Sequence, residues 1–239
     1  MNITCSLFLA FGLVMAGIGR SVAADPVRTT DHDYDPPAPG SYVLPVVKAA
    51  GDGNVLNAQG QPMHLRDLTR DRITVMSFIY TRCAAAKACP YATGVLKQLH
   101  RLSADQPALA KDLRLISMSF DPGSDTPARM ATFSEMATDR TSATPWHFLT
   151  TSSTRELQPI LDAYGQAVDK KKSATDPTGP LNHTLRVFLI DPNGNIRNIY
   201  SSDTLDLRLV LADIRTLQME AEAESGKRKA KSENARPNQ

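Results

Sequence analysis

The chain has 239 residues and a mass of 26.0 kDa, enough for one domain of ordinary size with extensions and short for two full cores. Apolar residues make up 41%, charged residues 22% and aromatics 6%, values near the average soluble protein that exclude collagen-like, coiled-coil and wholly disordered chains. The net charge is +2, yet residues 227–239 carry five basic groups against Glu233, about +4, which leaves about −2 before them and argues against a nucleic-acid-binding surface on the domain.

Residues 7–19 are uncharged and largely apolar, and small residues ending Val22-Ala23-Ala24 follow before Asp25. A helix needs about 20 residues to cross the core of a bilayer, so this run of 13 predicts a cleaved secretory signal over residues 1–24. Residues 1–6 lack Lys and Arg, and an uncleaved membrane tether is the alternative. Secretion implies an oxidising compartment, and cleavage removes Cys5 and leaves Cys83 and Cys89, two thiols able to pair with each other. Their disulfide would close a loop of about seven residues, for which the chain-entropy account gives roughly 2–2.5 kcal/mol. A structural staple usually ties more distant segments, so two cysteines this close point to chemistry rather than to bracing.

In chain order, residues 25–40 hold Asp31-His32-Asp33 and Pro36-Pro37-Ala38-Pro39-Gly40, a polar, helix-breaking linker in which His32 is expected to be solvated. The domain is expected over residues 41–224. Strands are predicted at 42–47 and 73–79, the second continuous enough to be buried on both faces. Ala92, Val95, Leu96, Leu99 and Leu102 recur at helical spacing and predict a helix over 90–104. A buried strand at 113–120 breaks at Asp121-Pro122, and Asp125 or Thr126 then caps a helix with Pro127 at its first position. A short strand at 146–150 precedes a helix with Leu157, Ile160, Leu161 and Tyr164 on one face. Residues 166–182 lack apolar periodicity and contain Lys170-Lys171-Lys172, Asp176-Pro177 and Gly179-Pro180, which predicts a functional or mobile loop. Strands at 184–191 and 196–200, joined by Pro192-Asn193-Gly194-Asn195, predict a hairpin. Leu207, Val210, Leu211, Ile214 and Leu217 mark a last helix that fades near Glu224. Residues 225–239 then read as a disordered basic tail, solvated by default, whose charge suits weak contact with an anionic membrane surface or partner.

Strands alternating with helices, closed by an antiparallel hairpin and a final helix, predict an α/β domain with a mixed central sheet flanked by helices, the thioredoxin-like arrangement. Cys83 and Cys89 fall between a buried strand and the next helix, at the carboxyl end of the sheet where such folds bind ligands. With Pro90 at the first helical position, Cys89 lies near the helix N-cap, where free amides stabilise a thiolate, and Arg82 and Lys87 are expected to act in the same direction. Thiolates are nucleophiles and soft ligands, so the pair suits disulfide exchange or a thiophilic ion such as Cu(I). Exchange enzymes of this fold usually place two residues between their cysteines. Five residues make a more pliable loop, able to hold both sulfurs around an ion or to collapse into a disulfide. Two cysteines are incomplete for zinc, which takes four ligands in structural sites. Cu(I) is satisfied by two or three, and a histidine nitrogen would admit Cu(II) as well. The candidates are His64, His100, His147 and His183. His100 within a helix and His147 within a strand read as structural, whereas His183 follows the polar loop and can be directed at the cysteines. A peroxide-reducing enzyme of related fold lacks the threonine and proline it would need around its cysteine.

Tyr80-Thr81-Arg82-Cys83 with Cys89-Pro90, then Asp121-Pro122 with Asp125-Thr126-Pro127, then Asn182-His183-Thr184 ahead of Phe188-Leu189-Ile190-Asp191-Pro192-Asn193-Gly194, resemble the SCO1/SenC family of copper-binding cytochrome oxidase assembly factors over residues 42–220. The resemblance implies a thioredoxin-like fold and a copper site of Cys83, Cys89 and His183 that holds Cu(I) or Cu(II) for the dinuclear copper centre of cytochrome c oxidase, in its subunit II. With the expected signal, it gives a periplasmic copper chaperone with a copper enzyme as client and a thiol reductant as partner. The reading that stays open beside it is a thiol-disulfide oxidoreductase, in which Cys83 and Cys89 are the redox pair that keeps the client's cysteines reduced. The family's usual pattern has three residues between the cysteines, and this chain has five. Many relatives are membrane-tethered; with no separate transmembrane anchor visible here, a soluble periplasmic form is expected. The Asp125-Thr126-Pro127 match is read as helix capping.

Overall fold

The computed structural model describes residues 34–138 and 141–234. The expected signal, Cys5 and His32 lie outside the described residues. The elements run β1 (Lys48–Ala49), β2 (Asn54–Asn57), β3 (Pro62–His64), a 3-10 turn at Leu65–Leu68, β4 (Ile73–Ile79), α1 (Cys89–Ala104), α2 (Pro107–Asp112) and β5 (Leu113–Ser119). After these come α3 (Pro127–Ala137), β6 (Trp146–Thr150), α4 (Thr154–Tyr164), β7 (Val168–Lys170), β8 (Leu181–His183), β9 (Val187–Ile190), β10 (Asn195–Tyr200) and α5 (Leu207–Asn234).

Eight strands form one mixed sheet in the order β1-β10-β9-β4-β5-β6-β2-β3. The centre, β4-β5-β6, is parallel, and β9 and β10 add to it antiparallel. Every residue of β4 is buried, as its unbroken apolar run requires. Successive side chains point to opposite faces, and the two faces carry separate cores. Val75, Leu115 and Leu189 pack with Leu96 and Leu99 of α1 and with Val210 and Ile214 of α5. Met76, Met118 and Phe188 pack with Met130 of α3 and with Leu157 and Ile160 of α4. The result is the expected thioredoxin-like α/β architecture, a mixed sheet between two helical layers.

The edges differ from the sequence expectation. Residues 42–47 form no strand: only Lys48 and Ala49 pair, with Ile196 and Asn195. Pro45 has no N–H to give to a ladder, and Val43, Val46 and Val47 face solvent. Apart from one backbone bond, Val47 N to Ile196 O at 2.8 Å, this segment is held by side chains. The Tyr42 hydroxyl donates to the buried carboxylate of Asp213 on α5, which also accepts from Tyr200 at 2.6 Å and from Asn198 at 2.8 Å. At the opposite edge β2 and β3 form a hairpin that the sequence does not announce, because strands of four and three residues are too short to show a period. Residues 166–182 are not a plain loop. Val168–Lys170 and Leu181–His183 pair antiparallel as a separate two-stranded ribbon, so His183 ends β8 rather than opening the strand expected at 184–191. The last helix also runs past Glu224 to Asn234, a stretch rich in the strong helix formers Ala, Glu, Lys and Arg, with Arg228 pairing back to Glu224 at 3.6 Å. Among the described residues no helix is long and apolar enough to cross a membrane.

Candidate metal centre

Three segments meet at the carboxyl end of the central strands. The first leaves β4 through Tyr80 and turns at once, the Cys83 amide donating to Tyr80 O at 3.1 Å. A second tight turn, Ala88 N to Ala85 O at 2.9 Å, absorbs the extra length of the cysteine loop and leaves Ala84, Ala86 and Lys87 exposed. Cys89 is the first residue of α1, with Ala88 as N-cap and Pro90 behind it, where the missing proline N–H costs nothing. Cys89 is buried and Cys83 half-buried, and both are free thiols. The third residue arrives on β8. His183 Nε2 stands 3.4 Å from Cys89 Sγ and 3.9 Å from Cys83 Sγ. All three ligand atoms lie within 4.8 Å of one another, and no other such group occurs among the described residues.

Packing aims the imidazole. The Tyr80 ring meets His183 edge-on at 5.4 Å between centroids, and Phe120 lies against it at 5.0 Å. The buried Nδ1 has no hydrogen-bond partner, so the two rings, not a carbonyl, set the orientation. Tyr80 in turn donates to Thr178 O at 3.2 Å, and the Ala84 amide donates to the same carbonyl at 3.3 Å, which ties the 171–180 segment to the cysteine loop. Gly179 makes this approach possible. Its φ is +98°, and a Cβ there would overlap the Tyr80 hydroxyl and stand 2.8 Å from Arg82 O.

The electrostatics place the negative sulfur on Cys83. The hydrogen bond from the Cys89 thiol is the main cause, helped by His183 and by the amides of Cys89 and Ala85, and together they hold the Cys83 thiol at about 4 despite partial burial. Cys89 moves the opposite way, pushed up by its bond to Cys83 and by burial. The expectation that Cys89 carries the thiolate is therefore corrected. The helix-start amide does act as expected on the sulfur of Cys89, but it also serves that of Cys83, and at Cys89 the bond to Cys83 and burial outweigh it. Arg82 does not assist, since it is paired with Asp121 at 2.7 Å, and Lys87 projects into solvent.

The other histidines stand apart from this site. His100 is buried, with Nε2 3.0 Å from Thr144 O and its ring against Trp146. His147 is half-buried in β6, where burial and the charges of Arg114 and Arg72 pull it down to about 4. His64 is exposed on β3. The motif Asp125-Thr126-Pro127 is only partly a cap. Thr126 accepts from the Arg129 amide at 3.4 Å, whereas the fully buried Asp125 faces the cysteine segment and accepts from the Thr81 amide at 3.0 Å and from the Ser119 hydroxyl at 2.6 Å. The parallel register that sets Ile79 beside Ser119 makes the segments leaving β4 and β5 neighbours. That adjacency is the signal by which Asp125 could have been found in the sequence.

A family model described as SCO1/SenC matches residues 48–218. The chain belongs to the SCO1/SenC family. It is 28% identical over 146 residues to the SCO1 protein homolog of Bacillus subtilis, an overlap of 61% of this chain and 69% of that protein. Among solved structures, the SCO1/SenC family lipoprotein of Bacillus anthracis is 24% identical with a TM-score of 0.60, covering 73% of this chain and 97% of that one. The copper-bound ScoI of Arabidopsis thaliana is 17% identical with a TM-score of 0.61, covering 72% of this chain and 99% of that one. At these identities the solved structures speak for the fold. The family itself is one of copper-binding proteins in cytochrome oxidase assembly, and this SCO1/SenC chain brings two thiols and an imidazole together in a group that suits a metal.

Proposed function

We propose that this chain is a periplasmic copper chaperone that carries one copper ion on Cys83 Sγ, Cys89 Sγ and His183 Nε2 and passes it to a copper-containing client such as subunit II of cytochrome c oxidase. The convergence of these three atoms within 4.8 Å carries the reading. Ligand atoms about 2.0–2.3 Å from an ion stand about 3.5–4.5 Å from one another, and the two nitrogen-to-sulfur distances of 3.4 and 3.9 Å match that spacing. The donor set also fits copper: two thiolates satisfy Cu(I), and the imidazole supports Cu(II). Cargo must leave as well as arrive. Three ligands and a half-exposed Cys83 give a client's ligands a way in, where four ligands would close the site.

Copper uptake by the reduced chain tests the reading. One copper per chain is expected, falling to almost none once both cysteines are alkylated, because a ligand thiol must be free and deprotonated to coordinate. Unchanged uptake after alkylation would place the metal elsewhere. The asymmetry of the pair favours a second reading, thiol-disulfide exchange on the same client: Cys83 is the ionised, accessible nucleophile and Cys89 the buried resolving thiol. Exchange needs both cysteines and not His183.

A further inference from the structure

We infer that Asp125 is a positioning residue for copper binding, a buried carboxylate that holds the turn presenting Cys83 in the geometry the ion requires. The inference rests on the copper reading above. A carboxylate without solvent exposure is costly to bury and persists where its hydrogen bonds have a use. Those of Asp125 serve neither the helix it precedes, which Thr126 and Pro127 start unaided, nor the hydrophobic cores. They converge on Thr81, two residues before Cys83: Oδ2 accepts from the Thr81 amide at 3.0 Å and Oδ1 from its hydroxyl at 2.5 Å. Ser119 Oγ, at the end of β5, donates to Oδ2 at 2.6 Å and so fixes the carboxylate to the sheet. Arg129 closes the arrangement from outside, its Nε donating to Thr81 Oγ1 at 2.7 Å and lying 3.8 Å from Asp125 Oδ1.

Thr81 is therefore held through both its backbone and its side chain, and the turn closed between Cys83 N and Tyr80 O is fixed to the end of β5. A five-residue cysteine loop has more freedom than a shorter one, and anchoring at one end offsets it. Groups that orient metal ligands from outside the coordination sphere typically change affinity by 10- to 100-fold when removed.

Spectroscopic copper titration of the reduced full chain tests this with Asp125→Asn, Thr81→Val, Thr81→Ser and Ser153→Ala. The last removes the cap of α4, away from the cysteine loop, and controls for lost stability. Asp125→Asn and Thr81→Val are expected to weaken Cu(II) binding about tenfold and to shift the sulfur-to-copper absorption. Thr81→Ser, which keeps the hydroxyl, and Ser153→Ala should stay within about twofold of the parent. If Asp125→Asn fails to fold, Thr81→Val decides. Parent-like affinity and absorption in the folded variants, or an equal loss in Ser153→Ala, would overturn the inference.

A parent chain that takes up no copper would contradict the chaperone reading instead, and positioning would then be read without metal. Glutathione disulfide serves as oxidant: the Cys83 thiolate attacks one of its sulfurs and releases one glutathione thiolate, and Cys89, losing its proton, attacks Cys83 and displaces the second. Two protein thiols become one disulfide while the oxidant is reduced to two glutathiones. The equilibrium constant should fall at least about threefold in Thr81→Val as the pair's effective concentration drops, and an unchanged constant would overturn the inference.

Discussion

Cys83 and Cys89 together hold one proton at neutral pH, because the thiol of Cys89 donates to the sulfur of Cys83 and stabilises its charge. The sign of the pH dependence follows. Cys83, held well below the ordinary thiol range, has no proton to release at neutral pH, while Cys89 is pushed up and surrenders its proton only when a metal takes its place. Near pH 7.5 copper binding should release about one proton per ion rather than two, so apparent affinity rises about tenfold per pH unit. Calorimetry in buffers of different ionisation enthalpy measures this number. Two protons released would mean that Cys83 enters as a thiol and that the hydrogen bond between the sulfurs does not act as described.

At the scale of elements, the ribbon β7-β8 and the segment between its strands present His183. Lys171 Nζ meets Asp176 at 3.0 Å, and Thr178 binds the same carboxylate through its amide and hydroxyl, closing the segment on itself. Gly179 then lets it lie on Tyr80. Gly179→Ala adds a Cβ where φ is +98° and backbone and ring leave no room; strain and displacement together should cost about 2 kcal/mol, a fall in Tm of about 4–8 °C for a domain of this size. Copper affinity should fall with it, since β8 moves away from the cysteines. Thermal unfolding checks the first expectation and copper titration the second, and a variant with parent Tm and affinity would show that the contact is not needed. The sequence does not disclose this ribbon. Val168 and Leu181 are its only apolar positions, too few for a period, and main-chain pairing leaves no trace in composition. The same limit hides β2 and β3. By contrast β4, β5, α1 and α4 are legible, because their apolar residues face a core and so repeat with period two or 3.6.

At the scale of the whole molecule, the sheet order brings the site together. Residue 183 is far in sequence from residues 83 and 89, and they meet because β4 is flanked by β5 and β9, so the segments leaving β4 and β5 and the one entering β9 gather at one end. The cysteines stand out in the sequence by spacing alone. His183 is singled out by its place after a polar stretch and by the order of motifs around it, whereas Asp125 is hidden behind an adequate capping explanation. The charge on Cys83 depends on which amides point at which sulfur, a matter of ångströms that spacing cannot express. The central claim is that imidazole and thiolates act as one copper site, and a titration of the reduced His183→Ala chain with Cu(I) and with Cu(II), beside the parent, tests it most directly. Two thiolates remain in the variant, so Cu(I) binding should fall only slightly, while Cu(II), deprived of its nitrogen ligand, should bind at least about tenfold more weakly, roughly 1.4 kcal/mol. Equal Cu(II) affinity in variant and parent, with disulfide exchange intact, would contradict the account and leave the cysteines as a reductase pair.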